Sequence, residues 1–299
     1  MSLRAELLRF LVRTFLKSRK QEFDIDAWRR GMRVTERLVP PPPARSEYAE
    51  VRARGLTFHR VVMPNTRPGR NVLYLHGGGY LSGGPAHYRH FTWRIADALS
   101  ATVWALAYRL APEHPFPAAI EDAANAYAFI EDEAANTGQP LVMGDSAGGG
   151  LTLALLLKLR DEGRSLPRAA IALSPWTDLA LTGASLADNA SADPMLNARH
   201  LPELARLYLA GNDPRAPYAS PLHGDVTTLP PVLIQVGSDE ILRDDAVRMA
   251  EKLARANPRS RLEIWPRMPH AWQLFAPVLP EARQAIGNIA SFVASVDAG

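Results

Sequence analysis

The sequence has 299 residues, of which 47% are hydrophobic, and it carries 34 lysines and arginines against 31 aspartates and glutamates. This composition supports a sizeable core and excludes a disordered chain, and a net charge of +3 gives no indication of nucleic-acid binding. Without cysteine, the chain has no disulfide, thiolate zinc site or cysteine nucleophile. No apolar run reaches the roughly 18 residues that span a bilayer. With no secretory leader pattern either, we expect a cytoplasmic protein.

The first 43 residues predict two helices and a connector. Residues 3–20 repeat apolar side chains at helical spacing, beside basic ones, at Leu3, Leu7, Leu11 and Phe15. A basic amphipathic helix of this kind can lie on a membrane, but we expect it to pack on the protein's own body. A second helix is predicted from Asp24 or Asp26 to about Leu38. Four prolines at 40–43 then form an extended connector.

Short apolar strands alternating with helices follow. The predicted strands are 47–52, 57–63, 71–76, 102–107, 140–143, 168–173, 232–236 and 261–265, and the predicted helices between them include 86–99, 116–135 and 244–256, with a last one at 280–296. This alternation indicates an α/β fold with a mostly parallel sheet and helices on both faces.

The alternation is interrupted after Trp176. Residues 177–228 contain no convincing parallel strand and one predicted helix, at about 198–210. An insertion of this kind over the carboxyl ends of strands is typical of a lid. The predicted organisation is therefore an N-terminal part of a cap at 1–43, a first part of the core at 44–176, a cap insertion at 177–228 and a second part of the core at 229–299.

Ser146 lies in a predicted turn between a strand and a helix. An apolar strand at 140–143 leads into Gly144-Asp145-Ser146-Ala147-Gly148, and a largely apolar run without a charged residue until Lys158 follows. The pattern G-x-S-x-G places glycine where a strand folds sharply back onto a helix, and the turn lifts the serine hydroxyl above the sheet. Ser146 is the predicted nucleophile, although so short a pattern also occurs in ordinary turns.

A glycine loop, His76-Gly77-Gly78-Gly79, follows another apolar strand. Acyl transfer needs preorganised N–H donors for the developing oxyanion. We expect the amides of Gly78, Gly79 and Ala147 to supply them, with His76 bracing the loop. A phosphate-binding loop is the alternative, but the lysine of the G-x-x-x-x-G-K-[ST] pattern is missing.

The base and the acid must follow the nucleophile along the chain. His270 begins the loop after the last predicted strand, at the edge where sites gather in open α/β folds, and it is the best placed of the eight histidines. Asp239 follows the strand before it and is the predicted acid, with Asp178 as its rival. Glu240 is adjacent to Asp239 and is expected to point away.

Several motifs occur together along the chain: His76–Gly79, Tyr108–Pro117, Gly144–Gly149, Ser174–Asp178, Pro221-Leu222, Gly237–Asp245 and Met268–His270. In combination they resemble the hormone-sensitive lipase family of α/β-hydrolases, the bacterial family IV esterases, over essentially the whole chain. One departure is Glu240-Ile241, where many members have Pro-Leu. The branch that includes monoterpene lactone hydrolases and small bacterial esterases is the most similar.

The resemblance implies an α/β-hydrolase fold with a helical cap, a Ser146–His270–Asp239 triad and an oxyanion hole at Gly78, Gly79 and Ala147. It also implies hydrolysis of short-chain carboxylic esters, and of lactones, with no cofactor and no metal. An amidase or peptidase on the same triad remains an alternative, as does a non-catalytic small-molecule binding protein of the same fold.

The predicted partner is a small ester. Five residues after the glycine loop or within the insertion are candidates for the substrate pocket: Tyr80, Leu81, Met195, Tyr208 and Tyr218. An exposed edge strand can pair between subunits, so both a monomer and a homodimer are compatible with the sequence.

Overall fold

The structure, a computed structural model, describes residues 2–15, 17, 22–133 and 138–298. Its helices are α1 (Leu3–Phe15), α2 (Ile25–Leu38), α3 (Pro85–Leu99), α4 (Ala118–Glu133), α5 (Ala147–Asp161), α6 (Ser185–Asp188), α7 (Leu201–Leu209), α8 (Arg243–Ala256) and α9 (Pro280–Asp297). Its strands are β1 (Glu47–Ala53), β2 (Leu56–Val62), β3 (Asn71–Leu75), β4 (Thr102–Leu106), β5 (Leu141–Asp145), β6 (Ala170–Leu173), β7 (Val232–Gly237) and β8 (Arg261–Trp265).

The described strands form one sheet in the order β1-β2-β4-β3-β5-β6-β7-β8. β1, β2 and β4 pair antiparallel, and all pairs from β4 to β8 are parallel. Strands β3, β5, β6 and β7 are buried at every residue, as parallel strands covered by helices on both faces must be. The predicted α/β fold is confirmed, and β3 and β5 lie side by side near the middle of the sheet.

Different helices cover the two faces of the sheet. On β3, Leu73 and Leu75 belong to the apolar cluster with side chains of α4 and α5, whereas Val72 and Tyr74 belong to the cluster with α3 and α9. This alternation follows the two-residue period of a strand. All four side chains are fully buried, and each such burial contributes about 1.5–3 kcal/mol to the free energy of folding. The rigid sheet therefore holds the carboxyl ends of β3, β5, β7 and β8 at one edge.

The insertion after Trp176 contains no strand, as the sequence predicts, but more helical segments than the single one predicted. Residues 177–228, all of them described, hold α6, α7 and the short 3-10 helices Ala198–His200 and Pro221–His223, and no strand. The helix predicted at 198–210 begins as the first of these 3-10 turns and continues as α7, which ends at Ala210 with a φ of 48°.

The N-terminal helices are confirmed in part. Asp24 is the N-cap of α2, since its Oδ1 accepts a 2.8 Å hydrogen bond from the Ala27 amide. Parts of two predicted helices, at 16 and 18–20 and at 134–135, lie outside the described residues. The expectation that α1 packs on the body holds for one side of the helix, where Ala5 and Val12 are buried and Leu8 packs against the core, whereas Leu3 is 89% exposed and Phe15 76% exposed.

The segment before β1 contacts the insertion directly. Lys17 Nζ donates hydrogen bonds to the carbonyl oxygens of Ala190 and Asp193, at 2.9 and 2.6 Å. The rings of Phe23 and His200 lie 5.6 Å apart. Within the described residues, every helix is too short or too polar to traverse a lipid bilayer.

Candidate active site

Ser146 lies in the tight turn between β5 and α5. Its φ of 54° and ψ of −122° are sparsely populated for a residue with a side chain. A Cβ added to Gly144 would lie 2.3 Å from the Gly148 carbonyl oxygen, and one added to Gly148 would lie 2.0 Å from the Leu75 carbonyl oxygen. Only glycine fits at these two positions, so the motif holds Ser146 at the carboxyl end of the central strand.

The glycine loop runs beside this turn because β3 pairs with β5. A Cβ added to Gly77 would lie 2.4 Å from Asp145 Oδ2 and 3.1 Å from Ser146 Cβ. Gly78 and Gly79 have φ values of 117° and 58°. Among the described residues, no acceptor receives the amides of Gly78, Gly79 or Ala147. These three amides are available as donors next to Ser146, and their action as an oxyanion hole stays a prediction.

Two buried side chains brace the loop. Asp145 Oδ1 accepts hydrogen bonds from the Gly77 amide at 3.0 Å and the Tyr74 hydroxyl at 2.6 Å. His76 Nδ1 donates to the Gly77 carbonyl oxygen at 2.7 Å, and its ring stacks on Tyr108 with the ring centroids 4.2 Å apart. Burial lowers the pKa of His76 to about 4, so this imidazole is neutral at ordinary pH and serves the structure, as expected.

His270 pairs with a different acid from the one that the sequence predicts. The His270 side chain is buried, and its Nδ1 lies 2.7 Å from Oε2 of Glu240, which is also fully buried. Asp239 instead forms an ion pair with Arg9 at 2.8 Å and accepts a hydrogen bond from Ser238 Oγ. The prediction of Asp239 as the partner of the histidine is therefore wrong, and so is the expectation that Glu240 points away.

The turn after β7 explains this exchange. The Glu240 amide donates to the Gly237 carbonyl oxygen, and the Gly237 amide donates to Glu240 Oε1 at 2.6 Å, which folds the side chain back under the strand end. Ser174 Oγ donates to the same Oε1 at 2.7 Å and accepts the Ala271 amide at 3.1 Å. With Oε1 held by two donors, Oε2 remains for His270.

The sequence drew attention to Glu240 but did not separate it from Asp239 as the partner of His270. The noted departure from the family pattern, Glu240-Ile241, falls on the acid itself. Ser238 and Asp239 precede it and are partly exposed, whereas Ile241 and Leu242 follow it and are buried.

Three carboxylates set the charge state of His270. Burial disfavours the imidazolium and by itself lowers the pKa. The hydrogen bond and charge of Glu240, with the charges of Asp193 and Asp145, outweigh that burial and raise the pKa of His270 above the ordinary 6.5. A raised pKa makes the imidazole a stronger base, which suits a group that takes a proton from a serine hydroxyl.

Comparisons with known proteins show which family this chain belongs to. A family model described as the alpha/beta hydrolase fold matches residues 72–274. The chain is 47% identical to an acetyl-hydrolase from Streptomyces hygroscopicus over 232 residues, 78% of each chain. An esterase of the bacterial hormone-sensitive lipase family has a solved structure with a TM-score of 0.91 at 38% identity, covering 98% of this chain and 97% of that one. The chain belongs to this family.

A second solved structure extends the comparison over the full length. The crystal structure of EstE5 soaked with p-nitrophenyl butyrate has a TM-score of 0.93 at 38% identity and covers 100% of both chains. The protein is thus an esterase of the α/β-hydrolase fold, a hydrolase that acts on carboxylic esters. This excludes the non-catalytic binding protein that the sequence left as an alternative.

An apolar pocket of the esterase lies next to its glycine loop. The cavity has a volume of about 260 Å³ and is lined by Glu22, Phe23, Asp24, Ala27, Trp28, Met195, Leu196, Asn197, His200, Leu201 and Leu204. A Cβ added to Gly79 would lie 2.7 Å from Leu204 Cδ2 and 3.1 Å from Trp28 Cη2. The pocket therefore adjoins the loop that carries two of the predicted oxyanion donors.

The structure places the predicted pocket residues of this esterase in different surroundings. Met195 lines the cavity. Tyr80 and Tyr208 are almost fully buried and stack with ring centroids 3.8 Å apart, and Leu81 is fully buried. Trp28 and Leu204 also line the cavity. The sequence did not predict them, because nothing in it indicates that α2 and α7 lie next to each other.

The prediction that Tyr218 lines the substrate pocket is wrong. Its hydroxyl donates to Asp161 at 2.8 Å, and Lys158 lies over its ring. Asp161 and Lys158 lie in the last turn of α5, whereas Ser146 lies just before its first turn. The length of α5 therefore separates Tyr218 from Ser146 by about 20 Å. Tyr218 packs on the far end of α5 and does not belong to the site.

Asp178, the rival acid, has a structural role in the esterase. Its buried carboxylate accepts a hydrogen bond from the Thr182 amide at 3.0 Å and pairs with His223 at 3.0 Å and Arg248 at 3.4 Å. It therefore ties the insertion to α8. Among the described residues, no three His, Asp or Glu side chains are grouped as metal ligands.

Proposed function

We propose that this esterase hydrolyses small acyl esters through an acyl-enzyme intermediate on Ser146, with His270 as general base and Glu240 as its orienting acid. The observation that carries the proposal is the buried 2.7 Å contact between His270 Nδ1 and Glu240 Oε2. A carboxylate on Nδ1 fixes the tautomer whose Nε2 is free to accept a proton, which is what an acyl-transfer base needs.

The proposed steps give each of these residues one role. Ser146 attacks the ester carbonyl while His270 takes the hydroxyl proton, and the amides of Gly78, Gly79 and Ala147 stabilise the oxyanion. His270 then protonates the leaving alcohol, and a water molecule repeats the cycle to release the acid. Glu240 stabilises the imidazolium that forms in both halves of the reaction. A lactone would follow the same route, with its alcohol still joined to the acyl group.

The pocket supports a short acyl or alcohol group as substrate. Its volume of about 260 Å³ and its apolar lining suit a few carbon atoms beside the glycine loop. The walls come from α2 and from residues 195–204, which supports a cap made from 1–43 and 177–228 over a core made from 44–176 and 229–299. A related protein is named an acetyl-hydrolase and another was soaked with a butyrate ester.

Two measurements test this function. Hydrolysis of p-nitrophenyl esters from acetate to palmitate is expected to peak among the short chains and to fall steeply once the acyl group exceeds the pocket. A fluorophosphonate is expected to label the peptide that contains Ser146, and the Ser146→Ala protein, with its fold checked by circular dichroism, is expected to take no label. A label on another serine would contradict the proposal.

The dependence of activity on pH follows from the raised pKa of His270. The base must be neutral, so kcat/KM is expected to rise with pH through a single inflection that lies above 6.5, the ordinary histidine value. His76 does not add a second inflection in this range, because its pKa is about 4. A pH profile of kcat/KM for p-nitrophenyl acetate measures this, and an inflection below 6.5 would contradict the assignment.

A further inference from the structure

Helix α1 contacts the protein through one narrow side. Ala5 and Val12 are buried, Arg9 pairs with Asp239, and Glu6 pairs with Arg267. Positions 5, 9 and 12 repeat at the three- and four-residue spacing that places them on one helical face. The helix is therefore attached by Ala5, Leu8 and Val12 and by ionic and hydrogen-bonded contacts, and the larger part of its circumference faces solvent.

The outward side of α1 is mostly apolar, with Thr14 as a polar residue among its large apolar side chains. Its large apolar side chains recur at helical spacing and are exposed to solvent: Leu3 89%, Leu7 58%, Phe10 65%, Leu11 40% and Phe15 76%. With Val34 and Leu38 of α2, these side chains make up seven of the nine large exposed hydrophobic residues in the described part of the chain. An exposed apolar patch of this kind, rimmed by polar residues, often marks an interaction site.

Two arginines flank this strip. At 100° per residue, Arg4 lies at one edge of the strip and Arg13 near the other. Both are exposed, and within the described residues neither guanidinium has a hydrogen-bond or ion-pair partner. The acidic residue of α1, Glu6, is already neutralised by Arg267 at 3.0 Å. The outward side of α1 thus combines an apolar strip with uncompensated positive charge.

The size of the strip argues against a second copy of this chain as its occupant. A helix of 13 residues is about 20 Å long and about 10 Å wide, so one side offers a few hundred Å². A stable protein interface buries about 800 Å² per partner. A helix lying in the plane of a lipid surface needs no partner of matching shape, because its apolar face enters the acyl boundary and its cations meet anionic headgroups.

We propose that the outward side of α1 docks this esterase reversibly onto an anionic phospholipid surface. Arg9, on the inward side, donates to the Arg267 carbonyl oxygen at 2.5 Å and pairs with Asp239, so α1 lies over the turns that carry Glu240 and His270. A lipid surface bound to α1 would then lie beside the active site. The proposal concerns binding, and it does not depend on the catalytic assignment.

Cosedimentation with vesicles of phosphatidylglycerol mixed with phosphatidylcholine tests the proposal. The wild-type protein is expected to bind these vesicles, to bind pure phosphatidylcholine weakly, and to dissociate at high salt. Leu7→Gln/Phe10→Gln is expected to lower the partition coefficient about 30-fold or more, since two apolar side chains no longer enter the lipid. Arg4→Gln/Arg13→Gln is expected to lower it about 25-fold, at about fivefold per cation.

Matched controls separate docking through α1 from nonspecific adsorption to the vesicles. Ile264→Gln/Val278→Gln removes the two large exposed hydrophobics outside the N-terminal helices, and Arg215→Gln/Arg259→Gln removes two exposed arginines elsewhere; both are expected to bind as wild type. Equal loss in these controls, or no binding by wild type, would overturn the proposal. So would a dimer, seen by sedimentation equilibrium, that Leu7→Gln/Phe10→Gln dissociates while vesicle binding is absent.

Discussion

Glu240→Gln is expected to lower kcat by about 10⁴-fold, while Asp239→Asn leaves it within a few-fold of wild type. Glu240 Oε1 is held by the Gly237 amide and the Ser174 hydroxyl. A glutamine would keep its oxygen on these two donors and so present its NH₂ group to His270 Nδ1. The imidazole proton would then sit on Nε2, and the ring could no longer accept a proton from Ser146.

The paired variants make this test decisive, because the two acids are adjacent in sequence. Steady-state hydrolysis of p-nitrophenyl acetate gives kcat, and circular dichroism with thermal unfolding shows whether each variant is folded. Asp239→Asn removes only the partly exposed ion pair with Arg9. If Asp239→Asn lost activity by orders of magnitude while Glu240→Gln kept it, the geometry of the turn would not describe the working enzyme.

Gly148→Ala is expected to prevent folding or to destabilise the protein by more than about 4 kcal/mol, a large share of the 5–15 kcal/mol typical of a domain. The added Cβ would lie 2.0 Å from the Leu75 carbonyl oxygen and 2.5 Å from that of His76. Both are backbone atoms at the end of β3, so relief requires α5 to move away from the sheet. Chemical denaturation monitored by tryptophan fluorescence measures the loss.

Gly287→Ala is the matched control for this substitution. Gly287 is exposed in the middle of α9, and an added Cβ would meet no atom within 4 Å. Alanine there is expected to stabilise the protein by about 0.5–1 kcal/mol, because glycine loses more backbone entropy in a helix. If Gly148→Ala unfolded at the same denaturant concentration as wild type, the close packing of α5 on the end of β3 would be disproved.

The sequence predicted the helices and strands well because their signals are local. Runs such as 72–75 and 232–234 are apolar throughout and are followed by a polar residue, which is the pattern of a buried parallel strand. The turn at Ser146 was equally readable, since the glycines at 144 and 148 leave one compact geometry. His270 was found because it opens the loop after the last strand of the sheet.

The local sequence pattern did not predict which acid contacts His270 or which side of α1 is exposed. Asp239 and Glu240 are adjacent in one turn, and the Gly237 amide and Ser174 Oγ, the second of these 66 residues away in sequence, draw Glu240 inward. In α1, periodicity shows that apolar residues share a side. It does not show that Ala5 and Val12, rather than Leu7 and Phe10, face the body.

The sequence by itself determined the order of strands and helices along the chain and the positions of the Ser146 turn, the glycine loop and His270, because each depends on a few consecutive residues and on the rule that parallel strands end at one edge. Only the tertiary structure decided which carboxylate meets His270, which residues of α2 and α7 wall the pocket, and which side of α1 faces outward. These three features depend on contacts between segments far apart in the chain, and the pattern of residues along the chain gives no distances between such segments.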